Sequence, residues 1–97
     1  MNEEILEKTI KDNKGSTIIL DFYSETCGPC KLVSNILDEI DKEYLDKVKI
    51  TKLNVYDYPE LAEKYEVSGL PTVIILKGDE KITLVGYKPK AEYTKYL

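Results

Sequence analysis

The spacing of hydrophobic residues along the chain predicts eight elements of secondary structure. Apolar residues three or four positions apart are typical of a helix with one buried face, whereas short, nearly continuous apolar runs are typical of buried strands. These patterns predict helices over residues 2–12, 27–44, 57–66 and 89–97, and strands over residues 17–23, 48–55, 72–77 and 81–86. Because the order is α-β-α-β-α-β-β-α, we expect an α/β fold with a partly parallel sheet and helices on both faces.

Glycine and proline residues mark several ends of these elements. The segment Asn13-Lys14-Gly15 is expected to end the first helix. Pro59 suits the first turn of the third helix, where its missing N–H is harmless. Gly78-Asp79 is expected to turn the third strand back into the fourth as an antiparallel hairpin. The strand 17–23 is apolar at nearly every position, so we expect it at the centre of the sheet.

Length, charge and hydropathy restrict the class of protein. A chain of 97 residues is long enough for one hydrophobic core, so we expect a single domain over residues 1–97. A net charge of −4 without a basic stripe argues against nucleic-acid binding. No apolar run approaches the roughly 20 residues that a membrane-spanning helix needs. The acidic start Met1-Asn2-Glu3-Glu4 lacks the features of a signal peptide, so we expect a cytoplasmic protein.

The two cysteines of the chain, Cys27 and Cys30, lie at the predicted start of the second helix. Helix N-termini stabilise a thiolate, and the thiolate is the nucleophile in disulfide exchange. A bridge across so short a ring removes little entropy from the unfolded chain, which argues against a purely structural disulfide. We therefore predict redox catalysis, in which Cys27 attacks a substrate disulfide and Cys30 then attacks Cys27 and releases the reduced substrate.

A structural disulfide and a metal site are the alternative interpretations of this cysteine pair. A mononuclear zinc site usually needs four ligands. The chain has no histidine and no other cysteine, so zinc or an iron–sulfur cluster would need carboxylates or a second subunit. We therefore expect neither a metal nor a cofactor.

Two charged residues interrupt apolar strand faces and complete the candidate site. Asp21 shares a strand face with Ile19, and a buried carboxylate there would have a raised pKa and could accept a proton from Cys30. Lys52 continues the apolar face of Ile50 on the next strand, which predicts an inward charge close to Asp21. A carboxylate reached by water and a solvated lysine are the simpler alternatives.

These residues, together with later segments, closely resemble the thioredoxin family. The segment 21–31, which contains Cys27-Gly28-Pro29-Cys30, resembles the family's active-site segment. Lys52-Leu53-Asn54-Val55 resembles its next strand, and Gly69-Leu70-Pro71-Thr72 resembles its cis-proline loop. Lys77-Gly78 and Val85-Gly86 match its later glycine positions. The matching segments span roughly residues 17–97 and follow one another in the same order as in the family.

The resemblance implies a fold and an activity. It implies a thioredoxin-like fold with a four-stranded mixed sheet flanked by helices, without the usual N-terminal strand because the first helix starts almost at Met1. The strand 48–55 is then expected at an edge of the sheet. The implied activity is that of a monomeric protein disulfide reductase whose partners are a thioredoxin reductase and disulfide-containing target proteins.

The resemblance also implies which residues contact the substrate. Pro71 is expected to follow a cis peptide bond facing the cysteines, which leaves backbone groups near Leu70 free to bind an extended substrate strand. Thr26, Gly28 and Pro29 are expected to contribute the rest of the contact surface. Thr26 replaces a tryptophan that is usual in the family, so this surface should be less aromatic.

Two other functions compete with this prediction. A glutaredoxin-like oxidoreductase would use glutathione, but the Gly28-Pro29 pair favours a thioredoxin because glutaredoxins usually have Pro-Tyr there. A binding module would dock a partner on the same fold without turnover. The cysteine pair together with Asp21 and Pro71 argues against that alternative.

Overall fold

The computed structural model describes residues 3–12 and 15–97, and the predicted order of elements is confirmed there. The elements are α1 (Glu3–Asp12), β1 (Thr17–Tyr23), α2 (Gly28–Tyr44), a 3₁₀ turn (Leu45–Lys47), β2 (Val48–Asn54), α3 (Pro59–Lys64), β3 (Thr72–Lys77), β4 (Glu80–Val85) and α4 (Lys90–Thr94).

Several predicted ends of elements differ from the observed ones. The predicted start of the first helix at Asn2 and the residues Asn13 and Lys14 lie outside the described residues. α3 ends at Lys64 rather than near Glu66, because Glu66 has a φ of 56°, which a helix cannot continue. α4 begins after Pro89, whose extended backbone places it before the helix rather than inside it.

The four strands of the described residues form one mixed sheet in the order β2-β1-β3-β4. β1 pairs in parallel with β2 and antiparallel with β3, and β3 pairs antiparallel with β4. β1 therefore lies inside the sheet and β2 at its edge, as the sequence predicted. Across the parallel pair, Asp21 is in register with Lys52, and across the antiparallel pair it is opposite Val73.

Two hydrophobic cores lie on opposite faces of this sheet. Alternation along β1 places Ile19 on one face and Leu20 on the other. The buried residues on the Ile19 face come from α2, α4 and the strands, and are Val33, Leu37, Ile40, Val48, Val73, Ile75 and Tyr93. On the Leu20 face, buried residues of α1 and α3 pack against the sheet. Asp21 belongs to the first face, so it lies under α2 and α4.

The candidate functional segments lie at one end of the strands of the sheet. β1 and β2 end there because they are parallel, and β3 begins there because it runs in the opposite direction. Since Phe22 is opposite Thr72, the residues after β1 and those before β3 are brought together. The cysteine segment and the Leu70-Pro71 segment thus adjoin the same end of the paired strands β1 and β3. No helix in the described ranges is long and apolar enough to cross a membrane.

Candidate active site

The cysteine pair is held at the first turn of α2 as a disulfide. The Cα atoms of Cys27 and Cys30 are 5.3 Å apart. Cys27 is the N-cap residue, with an extended backbone, and its sulfur accepts a hydrogen bond from the Cys30 N–H at 3.2 Å. Pro29 falls in the first turn, where its missing N–H removes no hydrogen bond of the helix. The helix begins one residue later than predicted because Cys27 caps it.

The two sulfurs differ in accessibility. Cys27 is partly exposed, whereas Cys30 is only 2% exposed. The first turn of the 17-residue α2 has no acidic residue. No carboxylate in that turn therefore weakens the stabilisation that the backbone N–H groups and the helix dipole give to a negative charge at Cys27. This arrangement suits a thiolate at Cys27 that external groups can reach.

Asp21 is a buried carboxyl group beside this pair. It is 1% exposed, and neither of its oxygens accepts a hydrogen bond from a described residue. Burial raises its pKa from 3.8 to about 6; the positive charge of Lys52 opposes that rise, and the negative charge of Asp38 adds to it. Asp21 can therefore exchange a proton close to neutral pH, as predicted for a buried carboxylate.

Lys52 differs from its sequence-based prediction. It lies on the same sheet face as Asp21, but its charge is not buried, since its side chain is 35% exposed. Its ammonium group donates to Ser34 Oγ at 2.7 Å and to Asp38 Oδ1 at 2.6 Å. The physical reason is that β2 is an edge strand, so the long side chain can reach past the buried face to the polar side of α2.

An open pocket of about 440 Å³ brings most of these groups together. Its lining includes Asp21, Cys30, Ser34 and Lys52, with Lys31 at the start of α2. Neither Ser34 nor Asp38 was predicted from the sequence as part of the site. The available signal was their spacing, because residues 30, 34 and 38 follow one another at intervals of four along one face of α2.

The predicted substrate-contact residues form the outer part of the site. Thr26, Gly28 and Pro29 are exposed, and Leu70 is half-buried. Leu70 forms no backbone hydrogen bond with another described residue, so its polar backbone groups remain available. The Leu70–Pro71 peptide bond is cis, and the Pro71 carbonyl accepts a hydrogen bond from the N–H of Gly86 at 2.8 Å. Tyr23, which also lines the pocket, is half-buried.

Tyr93 is a buried polar residue of α4. It is 0% exposed, and its hydroxyl has no partner with hydrogen-bond geometry among the described residues. Burial is the main reason that its pKa rises to about 12; the Lys88 backbone opposes the rise, and the charges of Asp21 and Tyr87 add to it. The hydroxyl therefore lies within electrostatic range of Asp21.

Replacing Tyr93 with phenylalanine is expected to leave the free energy of unfolding unchanged or to raise it by about 1 kcal/mol. The reason is that a buried hydroxyl without a good partner keeps its desolvation penalty, which phenylalanine does not have. Urea unfolding of the oxidised protein measures the change, with the exposed Tyr87→Phe as control. A loss of more than 1 kcal/mol would show that the hydroxyl has a stabilising partner.

Comparisons with known proteins agree with this geometry. A family model described as Thioredoxin matches residues 1–97. The thioredoxin of Bacillus subtilis (strain 168) is 45% identical over 74 residues, covering 75% of this chain and 71% of that protein. The chloroplastic thioredoxin M3 of Oryza sativa subsp. japonica is 39% identical over 81 residues, which cover 82% of this chain. This match spans 46% of the rice protein, so the chain corresponds to about half of it.

The fold itself is also similar to a solved structure. The X-ray structure of Fasciola hepatica thioredoxin gives a TM-score of 0.86 at 29% sequence identity, covering 98% of this chain and 90% of that one. The similarity thus includes the sheet, its flanking helices and the end of the strands at which the cysteine pair lies. The chain therefore belongs to the thioredoxin family and is a thiol–disulfide oxidoreductase with Cys27 and Cys30 as its redox pair.

Proposed function

We propose that this protein is a protein disulfide reductase in which Cys27 attacks and Cys30 resolves. The observation that carries the proposal is the difference in accessibility between the two sulfurs. A partly exposed Cys27 at a helix N-terminus can meet a substrate disulfide, whereas a Cys30 that is 2% exposed can meet only a sulfur already bound to Cys27.

The reaction begins with the dithiol form of the protein. The Cys27 thiolate attacks one sulfur of the substrate disulfide, the substrate S–S bond breaks, and the first substrate thiolate leaves and takes up a proton from solvent. Cys30 then loses its proton and attacks Cys27 Sγ. The bond between the protein and the substrate breaks, the second substrate sulfur leaves as a thiolate and takes up a proton from solvent, and the Cys27–Cys30 disulfide forms. Two electrons have passed from the protein to the substrate.

Asp21 is proposed to accept the proton of Cys30 in the second step. Both residues line the same pocket, and burial raises the pKa of Asp21 to about 6. A carboxylate with such a pKa is ionised at neutral pH, yet it is more basic than an ordinary aspartate. Lys52 contributes a positive charge near Asp21, which limits how far the pKa rises.

The substrate is proposed to bind as an extended segment over the outer part of the site. Thr26, Gly28 and Pro29 offer an exposed surface around Cys27. The backbone of Leu70, which forms no hydrogen bond with another described residue, offers hydrogen bonds next to Pro71. The proposed partners are disulfide-containing proteins in the cytoplasm and a thioredoxin reductase that returns two electrons and two protons. The proposed active form is a monomer, because each step uses groups of one chain.

The proposal predicts that the protein accelerates the reduction of insulin disulfides by dithiothreitol. The acceleration should be at least about tenfold over the uncatalysed reaction, because the site supplies a positioned thiolate. Precipitation of the released insulin B chain measures the rate, and the double variant Cys27→Ser, Cys30→Ser is the matched control. No acceleration by the wild-type protein would refute reductase activity and favour a binding module.

The electron donor is tested by comparing three ways to recycle the oxidised protein. A nicotinamide-dependent thioredoxin reductase is expected to support repeated turnover, and a ferredoxin-dependent reductase is the second donor compared. Glutathione alone is expected to give a rate near background. Efficient recycling by glutathione alone would favour a glutaredoxin-like function instead.

A further inference from the structure

Two residues of α2 hold the ammonium group of Lys52 on the outer side of the site. Lys52 Nζ lies 2.7 Å from Ser34 Oγ and 2.6 Å from Asp38 Oδ1. Ser34 is half-buried in the pocket lining, and Asp38 is exposed. The two residues are one helical turn apart, so their side chains meet Lys52 from the same face of α2.

Because Lys52 donates to Ser34 and Asp38, its ammonium group forms no hydrogen bond with the carboxyl group of Asp21. Asp21 and Lys52 are direct partners in the parallel pairing of β1 and β2, so their side chains project from the same face of neighbouring strands. A lysine side chain is long and flexible enough to reach a carboxylate on the adjacent strand. Nevertheless, neither Asp21 oxygen accepts a hydrogen bond from a described residue.

The charged and titratable groups around Asp21 come from each element packed against it. β2 contributes Lys52, α2 contributes Asp38 and the Cys30 sulfur, and α4 contributes the Tyr93 hydroxyl. The pocket lining adds two charged residues, Glu25 and Lys31. Among these groups, Lys52 is the cation whose charge acts on Asp21 most directly, and Asp38 is the carboxylate that competes for it.

We propose that Ser34 and Asp38 are positioning residues that hold the Lys52 ammonium away from Asp21, so that Asp21 can exchange a proton with Cys30 near neutral pH. The inference rests on the proposed role of Asp21 in the second step of the reaction. If Lys52 were released, it would pair with the Asp21 carboxylate and keep it ionised. Asp21 would then be a weaker base toward Cys30.

The proposal predicts that Asp38→Asn lowers the titration midpoint of Asp21 by about one pH unit from its value near 6. Ser34→Ala should shift it in the same direction by a smaller amount, because one of the two contacts is lost. The ¹³C chemical shift of the Asp21 carboxyl group, followed against pH in the oxidised protein, measures the midpoint. Asp41→Asn, on the same helix and not among the groups that act on Asp21, should leave it unchanged.

Asp38→Asn can lower the midpoint in two ways, by releasing Lys52 and by removing the negative charge of Asp38 itself. Repeating the substitution in a protein that lacks Lys52 separates these two effects. In a Lys52→Met protein, Asp38→Asn should shift the midpoint by less than half as much as it does with Lys52 present. An unchanged midpoint in Asp38→Asn, or an equal shift in both backgrounds, would overturn the proposal. Because this titration contains no substrate and no reductase, a protein that fails to reduce insulin refutes the proposed function without affecting this result.

Discussion

Replacing Cys27 with serine is expected to slow the first chemical step by at least about a thousandfold, whereas replacing Cys30 with serine should change that step less than about threefold. The physical reason is that Cys27 is partly exposed at the N-terminus of α2, where a thiolate is stabilised. Cys30, at 2% exposure, cannot replace it as the attacking group. Both variants should fail in repeated turnover, since the cycle needs two sulfurs.

Stopped-flow measurement of a single turnover separates the two steps. The reduced protein is mixed with an excess of a small aromatic disulfide that absorbs when its thiolate is released. Wild type should release two thiolates per protein, Cys30→Ser one, and Cys27→Ser almost none. Release of one thiolate by Cys27→Ser at the wild-type rate would contradict the assignment, because Cys30 would then be an attacking group.

Replacing Asp21 with asparagine is expected to stabilise the oxidised protein by about 3 kcal/mol at pH 8 and to change its stability little at pH 4. The pKa of Asp21 is about 6 in the folded protein instead of 3.8. Between these values the folded state binds more protons than the unfolded state, so the free energy of unfolding decreases as the pH rises. Above pH 6 the buried charge carries its full penalty, which asparagine avoids.

Urea unfolding at pH 4 and pH 8 measures this difference for wild type and Asp21→Asn. Asp41→Asn is the matched control, since Asp41 is an exposed carboxylate on α2, and its effect should be small at both pH values. Equal stability of wild type and Asp21→Asn at pH 8 would show that the buried carboxylate is not destabilising. The same substitution should slow the release of substrate by Cys30, so stability and turnover should change in opposite directions.

The fold was predictable where local pattern and tertiary contacts agree. The apolar run of β1 and the helical spacing of α2 predicted two elements that lie at the centre of the molecule, because burial fixes both the pattern and the structure. Alternation along β1 also placed Asp21 on the face of Ile19, where it is buried. The location of β1 and α2 and the burial of Asp21 each follow from the pattern within a single element, so they can be predicted from the sequence.

The partner of Lys52 could not be predicted in this way. An edge-strand lysine can reach a carboxylate on its own sheet or one on the covering helix, and the choice depends on how the helix docks. The sequence alone predicted an inward charge close to Asp21, with a solvated lysine as the alternative, whereas in the folded chain the ammonium donates to Asp38 and Ser34. The end of α3 was missed for a related reason, since the positive φ of Glu66 has no local sequence signal.

The burial of Tyr93 in the short helix α4 could not be predicted from the sequence either. α4 has five residues, too few for its hydrophobic spacing to identify a buried face. Its tyrosine could have docked at the surface with a solvated hydroxyl. In the structure it is instead fully buried between α2 and the sheet, within electrostatic range of Asp21.

Trapping the mixed disulfide shows directly whether Cys27 forms the covalent bond to the substrate. Reduced Cys30→Ser is incubated with a disulfide-containing protein, excess thiol is blocked, and the complex is digested without reduction for mass spectrometry. We predict a single disulfide-linked complex in which a peptide containing Cys27 is joined to the substrate, and no complex with Cys27→Ser. A complex through Cys30 in the Cys27→Ser protein, or none in either variant, would refute the assignment of Cys27 as the attacking residue.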